Sequence, residues 1–135
     1  MKIKGLHHVA IATTDAKKHG ELLESLLGLR AGETETNPSN NIRLSFLDAL
    51  NTDIEFLQPL DSDSPISKFL EKRGPGIHHL CFLVEDIDEA LDELKAKNIR
   101  LIDSRPRQGA EGSLIAFIHP DAAGGILIEL KEELL

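Results

Sequence analysis

The sequence predicts an α+β fold built from two tandem βαβββ modules, and three observations predict it. Gly5-Leu6-His7-His8-Val9-Ala10-Ile11 recurs as Gly76-Ile77-His78-His79-Leu80-Cys81-Phe82. At the same offset Asp15 and Asp86 each open a polar segment with helical spacing. Each half also closes on a run with one carboxylate among aliphatic residues, Asp53-Ile54-Glu55-Phe56-Leu57 and Leu127-Ile128-Glu129-Leu130. The second run lies slightly later than a strict repeat requires, as a loop insertion would produce.

Module one covers residues 5–60. Its spacing predicts a strand over 6–13, a helix over 15–27 and strands over 30–36, 42–48 and 53–58. Asp15 serves as N-cap, and Leu22, Leu23, Leu26 and Leu27 supply the apolar spacing. Module two, residues 76–132, repeats the pattern: a strand over 77–84, a helix over 86–97 capped by Asp86 and carrying Ile87, Leu91 and Leu94, then strands over 101–104, 113–119 and 126–131. Residues 61–75 form a connector, in which Ile66, Phe69 and Leu70 have the spacing of a short helix. One helix and four strands, occurring twice, imply two curved mixed sheets that pair through a pseudo-twofold axis within one domain spanning 1–135. The first and last strands of each half would border a shared cavity.

Composition narrows the functional classes. With 135 residues the chain can bury one core, and its 4% aromatic content leaves that interior to aliphatic side chains. Fifteen Lys and Arg against 23 Asp and Glu give a formal charge of -8, which repels nucleic acid and anionic membrane surfaces. Cys81 is the single cysteine, so no intrachain disulfide and no Cys-X-X-Cys pair can form. A reducing, cytoplasmic compartment is the default. The amino end lacks a signal-peptide run, and no stretch has the apolar length of a membrane span.

The repeated polar residues carry the chemistry. His8 and His79 stand near the start of the first strand of each half, and Glu55 and Glu129 stand inside the last. A carboxylate in a buried-looking strand costs several kcal/mol to desolvate unless something neutralises it. Two imidazoles and two carboxylates carry a charge of about -2, which one divalent cation cancels; the N2O2 set suits Zn, Co, Ni or Mn and leaves positions for water or substrate. Within each His-His pair the strand alternation sends only one ring into the cavity. The phase selects the second, because Ala10 and Ala12 share a face with His8 and small side chains suit a cavity floor. His119, in Phe117-Ile118-His119-Pro120, reads as a turn-stabilising residue at a strand end. His19 lies on a charged helix face and reads as solvated, and Cys81 as a buried, inert thiol.

These residues resemble the vicinal oxygen chelate (glyoxalase-like) superfamily, whose paired modules hold a metal by one His and one Glu or Gln from each half. The resemblance implies one curved eight-stranded sheet around a metal site. Within that superfamily the chain is most similar to the methylmalonyl-CoA epimerase family. The similarity rests on Leu6-His7-His8-Val9-Ala10-Ile11-Ala12, Asp63-Ser64-Pro65-Ile66 with Phe69-Leu70, Gly76-Ile77-His78-His79, Phe117-Ile118-His119-Pro120 and Gly124-Gly125-Ile126-Leu127-Ile128-Glu129-Leu130. The family implies an isomerase of propionate metabolism that interconverts the (R) and (S) epimers of methylmalonyl-CoA, a cobalt ion and a homodimer. Lactoylglutathione lyase shares the His, Glu, His, Glu quartet and is the alternative. A metal-free small-molecule binding module of the same fold is the third reading.

Under the epimerase reading, Glu129 and Glu55 are the catalytic pair, one for each face of the substrate carbon. Some epimerases carry a further glutamate on the strand that here reads Ile42-Arg43-Leu44-Ser45-Phe46, where this chain has Leu44. An acyl-CoA needs local positive charge, which Lys95, Lys97, Arg100, Arg105 and Arg107 supply; Arg105 and Arg107 are the expected contacts. The Gln108-Gly109-Ala110-Glu111-Gly112-Ser113 segment brings small residues to the start of a strand, so Gly112 and Ser113 are expected to meet the substrate carboxylate.

Overall fold

In the computed structural model, which describes residues 1–134, both copies of the repeated segment are strands, and each is followed at once by a helix. The elements are β1 (Ile3–Ala12), α1 (Ala16–Leu27), β2 (Arg30–Ala31), β3 (Glu35–Asn37), β4 (Ile42–Asp48), β5 (Asp53–Pro59), α2 (Pro65–Arg73), β6 (Gly76–Val84), α3 (Ile87–Ala96), β7 (Arg107–Gln108), β8 (Leu114–Ile118) and β9 (Leu127–Glu132). The chain divides into two compact units, one of His8–His78 and one of Met1–His7 with the chain from His79 onward.

In the first unit the last residues of β1 run parallel to β5, with Ala10 opposite Glu55, and β4 runs antiparallel to β5, with Phe46 opposite Glu55. Alternation along β5 splits its neighbours between two faces. Phe56 is fully buried with Ala16, Leu47, Leu23 and Leu29 beneath α1. Leu57 packs with Ala10, Ala12, Leu44 and Ile66 beneath α2. Ala10 and Ala12 therefore lie under a helix that the connector supplies, and do not floor an open cavity.

Local chemistry sets both helices. The Asp15 carboxylate accepts the Lys18 N–H at 3.1 Å and starts α1, and Gly28 ends it in the left-handed conformation at φ 69°. Of the four leucines expected to face inward on α1, only Leu23 joins the core; Leu22, Leu26 and Leu27 are 54%, 67% and 61% exposed. His19 is half-buried rather than fully solvated: its ring lies tilted against Phe56 with centroids 4.6 Å apart, and Nδ1 lies 3.1 Å from the Thr13 hydroxyl. Gly20 lets α1 sit close to the sheet, since a Cβ there would lie 3.1 Å from Ser45 Oγ. The Ser64 hydroxyl accepts the Ile66 N–H and starts α2, with Pro65 at its first position.

The strand expected over 30–36 is two short strands on the edge of β4. β2 pairs Ala31 with Leu47, and β3 pairs Glu35 with Leu44. The register shifts by one residue between them, so 32–34 bulges out, with the Gly32 N–H still bound to the Phe46 carbonyl at 2.8 Å.

The second unit repeats these registers. β6 runs parallel to β9 with Cys81 opposite Glu129, and β8 antiparallel to β9 with Phe117 opposite Glu129. Asp86 caps α3 by accepting the Glu89 N–H at 3.0 Å, and the Glu132 carboxylate accepts the Ile87 N–H at 2.8 Å. Val84, Ile87, Ala90, Leu91, Ala116 and Leu130 form the core between α3 and the strands. The strand expected over 101–104 does not form. Leu101 makes one isolated bridge to Ile118, and then the Asp103 carboxylate takes the Phe117 N–H at 2.8 Å, the position a strand carbonyl would fill. Pairing with β8 resumes only at β7. The broken edge of module one raises the strand number from the expected eight to nine among the described residues. No helix among them is long and apolar enough to cross a membrane.

Asp86→Ala leaves the first turn of α3 without its acceptor and should cost about 1 kcal/mol, read as a lower Tm, with a milder loss in Asp86→Ser. A pH effect follows from Asp61. Its carboxyl is held below the usual value of 3.8, first by the Asn41 side chain at 2.6 Å and then by the Asp63 N–H. The folded pKa is depressed, so the stabilisation is complete above 3.8 and fades as pH falls below it. Asp61→Asn should therefore lower Tm at neutral pH and narrow the gap to wild type at pH 3.

Candidate metal centre and active site

His8 occupies the face of β1 that also carries Ala10 and Ala12, one alternation before the residue opposite Glu55. Parallel pairing with β5 makes His8 and Glu55 diagonal neighbours, and His8 Nδ1 lies 2.8 Å from Glu55 Oε2. Both side chains are largely buried, at 7% and 15% exposure. His7 falls on the opposite phase, and its Nε2 is 3.9 Å from the Glu133 carboxylate in the second unit.

The second unit builds the same pair by the same register. His79 Nε2 lies 3.1 Å from Glu129 Oε1, with side-chain exposures of 9% and 10%. The two pairs differ in the nitrogen that faces the carboxylate, Nδ1 of His8 and Nε2 of His79. The His79 ring is also met edge-on by Phe117, with centroids 5.8 Å apart and planes at 84°.

The donor set fits a first-row divalent cation. Each unit offers one imidazole nitrogen and one carboxylate oxygen from buried strand positions. An imidazole N–H facing the carboxylate satisfies a buried anion from protein groups alone. Imidazole nitrogen and carboxylate oxygen are also the atom types that such a cation would take as ligands.

The other expected site residues fall into two groups. Leu44 is 8% exposed in the apolar cluster with Ala10, Leu57 and Ile66, and Cys81 is fully buried. Arg105 is exposed. Arg107 is anchored: its Nε lies 3.2 Å from Asp103 Oδ1, and its guanidinium sits 5.2 Å over the Phe117 ring. Ser113 is 2% exposed and its hydroxyl donates to the Ala110 carbonyl at 2.7 Å, while the Gly109 N–H is bound to the Ser113 carbonyl at 2.9 Å. Gly109 is required by packing, since a Cβ would lie 2.7 Å from both Ile115 and Ser113 side-chain atoms. Gly112 adopts φ 77°, a conformation that favours glycine. His119 caps the turn after β8, its Nδ1 accepting the Asp121 N–H at 3.0 Å.

Two residues beside the acids escaped the sequence reading. Phe46 and Phe117 occupy matching positions of the repeat, and each stands directly opposite a strand glutamate. The signal was the repeat itself, extended from the polar residues to the aromatic ones.

Comparison with known proteins agrees with this architecture. Residues 7–117 match the model of the glyoxalase/bleomycin resistance protein/dioxygenase superfamily. The mitochondrial methylmalonyl-CoA epimerase of Bos taurus is 39% identical over 94% of this chain and 73% of its own length. The crystal structure of methylmalonyl-CoA epimerase from Mycobacterium tuberculosis superposes with a TM-score of 0.88 at 39% identity, covering 98% of this chain and 90% of that one. A single-substitution variant of the Streptomyces coelicolor epimerase, solved with 2-nitronate-propionyl-CoA, gives a TM-score of 0.87 at 29% identity, covering 99% of this chain and 100% of that one. With a duplicated βαβββ architecture, a buried His and Glu in each module and these relatives, the chain belongs to the glyoxalase/bleomycin resistance protein/dioxygenase superfamily, on its methylmalonyl-CoA epimerase branch.

Proposed function

We propose that this chain interconverts (R)- and (S)-methylmalonyl-CoA by removing the C2 proton from one face and returning it to the other. The observation that carries the reading is the duplicated buried pair, His8 with Glu55 and His79 with Glu129, at equivalent registers. His8, Glu55, His79 and Glu129 would together hold one divalent cation per chain, with cobalt first and manganese, nickel or zinc as alternatives, so that both modules act as one domain. Such a cation supplies positive charge where negative charge develops on the thioester oxygen as C2 is deprotonated.

The chain's own residues supply the proton chemistry. A glutamate from each module serves one face of C2: Glu129 as carboxylate takes the proton of one epimer while Glu55 as carboxylic acid protonates the opposite face, and the two exchange roles on the reverse path. Leu44, enclosed by apolar side chains, has no proton to carry. Arg105 and Arg107 give local positive charge for the anionic acyl-CoA on a chain of charge -8, with Gly112 and Ser113 at the edge of the substrate carboxylate. A homodimer in the cytoplasm completes the reading, in line with the single cysteine.

The direct test presents cobalt-loaded protein with (S)-methylmalonyl-CoA and, separately, with the glutathione hemithioacetal of methylglyoxal. Appearance of the (R) epimer, its loss with a chelator, and a Tm lowered by the chelator are expected. Turnover of the hemithioacetal alone would move the chain to the lyase reading, and turnover of neither with no chelator effect on Tm to a metal-free binding module.

A second test separates the acids. Glu129→Gln and Glu55→Gln each keep an oxygen ligand and lose one acceptor. In deuterated water each variant should wash out the C2 hydrogen of one epimer while forming the other at least about 100-fold more slowly than wild type. His8→Ala should abolish both exchanges. Near-normal epimerisation by Glu55→Gln would leave Glu55 as a ligand only and require another second base.

A further inference from the structure

Within the second unit, four side chains form a continuous stack that ends at a candidate ligand. The Asp103 carboxylate, 17% exposed, accepts the Phe117 N–H through Oδ2 at 2.8 Å and binds Arg107 Nε through Oδ1 at 3.2 Å. The Ile102 and Asp103 N–H groups both reach the Phe117 carbonyl, at 2.9 and 3.2 Å. Both backbone hydrogen-bonding groups of Phe117 are thus held by one segment, along one edge of β8. Its ring is covered on one face by the Arg107 guanidinium at 5.2 Å and meets the His79 imidazole edge-on at 5.8 Å.

We propose that Phe117, fixed by Asp103 and Arg107, is a positioning residue for the His79 imidazole. The physical argument concerns rotation. An imidazole on a strand can turn about its Cβ–Cγ bond, and that torsion is soft. A tilted aromatic neighbour at van der Waals distance narrows it, and edge-to-face geometry is the favoured arrangement for two such rings. Phe117 can hold the imidazole only as firmly as it is held itself. Asp103 fixes its backbone, and the cation over its face fixes the ring plane. Glu129 contacts the ring through Nε2 at 3.1 Å, whereas Phe117 meets it as a ring against a ring, so the two neighbours constrain it through different contacts. The proposal rests on the metal reading only in its purpose, which is to aim that nitrogen at a cation.

The experiment uses the full chain. In metal-free protein, the ring signals of His79 are followed by long-range proton–nitrogen correlation, assigned with His79→Gln, and cobalt(II) affinity is then measured by calorimetry. Phe117→Leu should broaden the His79 ring signals, beyond the shift that loss of the aromatic ring causes by itself, and weaken cobalt binding about ten-fold, the usual effect of removing an orienting neighbour of a ligand. Asp103→Asn keeps an acceptor for the Phe117 N–H but weakens the hold on Arg107, so it should produce a smaller change in the same direction with little change in Tm. Phe82→Leu is the control: Phe82 packs on the opposite face of β6, in the core beneath α3, and its loss should lower Tm while leaving the His79 signals and the affinity unchanged. His79 ring signals that stay sharp in Phe117→Leu and unaltered in Asp103→Asn would overturn the proposal. If wild-type protein binds no cobalt, the metal reading fails, and the ring signals alone still decide whether Phe117 positions His79.

Discussion

Everything distinctive about this chain depends on placing a carboxylate inside a buried strand. Glu129 is 7% exposed, and Glu55 is little more open. An unpaired charge at such depth would cost several kcal/mol, a large share of the stability of a domain this size. The parallel pairing of the first and last strand of each module answers that cost. It brings an imidazole from β1 or β6 to within hydrogen-bond distance of the acid, and it does so by register alone. A one-residue slip would turn the acid to the opposite face and the imidazole away from it. The two helices that pack on these strands, α1 and α3, are therefore part of the site in a real sense, because their cores lock the register.

The duplication was plain in the sequence because it joins residues that ordinary packing would not repeat: paired histidines, a capping aspartate and an acid in an apolar run. Those features located β1, β4, β5, β6 and both module helices closely. What stayed hidden was set by contacts remote in sequence. Residues 101–104 have strand composition, yet the Asp103 side chain takes the hydrogen bond that a strand would need. Residues 30–36 lose one register step to a bulge around Gly32, which no alternation pattern announces. His19 looks solvated on a helical wheel of charges, and only the fold reveals Phe56 beneath it. At the site, strand phase separates the neighbouring histidines, and the second of each pair is the one that lies beside a strand glutamate. The role of the small residues was not: Ala10 and Ala12 make room for α2, which belongs to the connector and has no counterpart in the repeat.

The modules are alike in backbone and unlike in chemistry. Glu55 is flanked across β5 by a strand that joins an apolar layer under α2, whereas Glu129 faces a strand whose Phe117 is tied to charged residues at 103 and 107. The imidazoles present different nitrogens to their acids.

The side-chain acceptor at Asp103 also bears on how the molecule meets others of its kind. Regular edge strands present a row of amide and carbonyl groups on which a further strand can grow, the usual route to sheet-to-sheet association. Here the ladder beyond β8 is a single bridge, then a carboxylate, then a two-residue pairing at β7. A carboxylate accepts hydrogen bonds but passes none on, so the pattern ends with it. Along this edge of β8 a side chain interrupts the ladder that a longer strand would have continued.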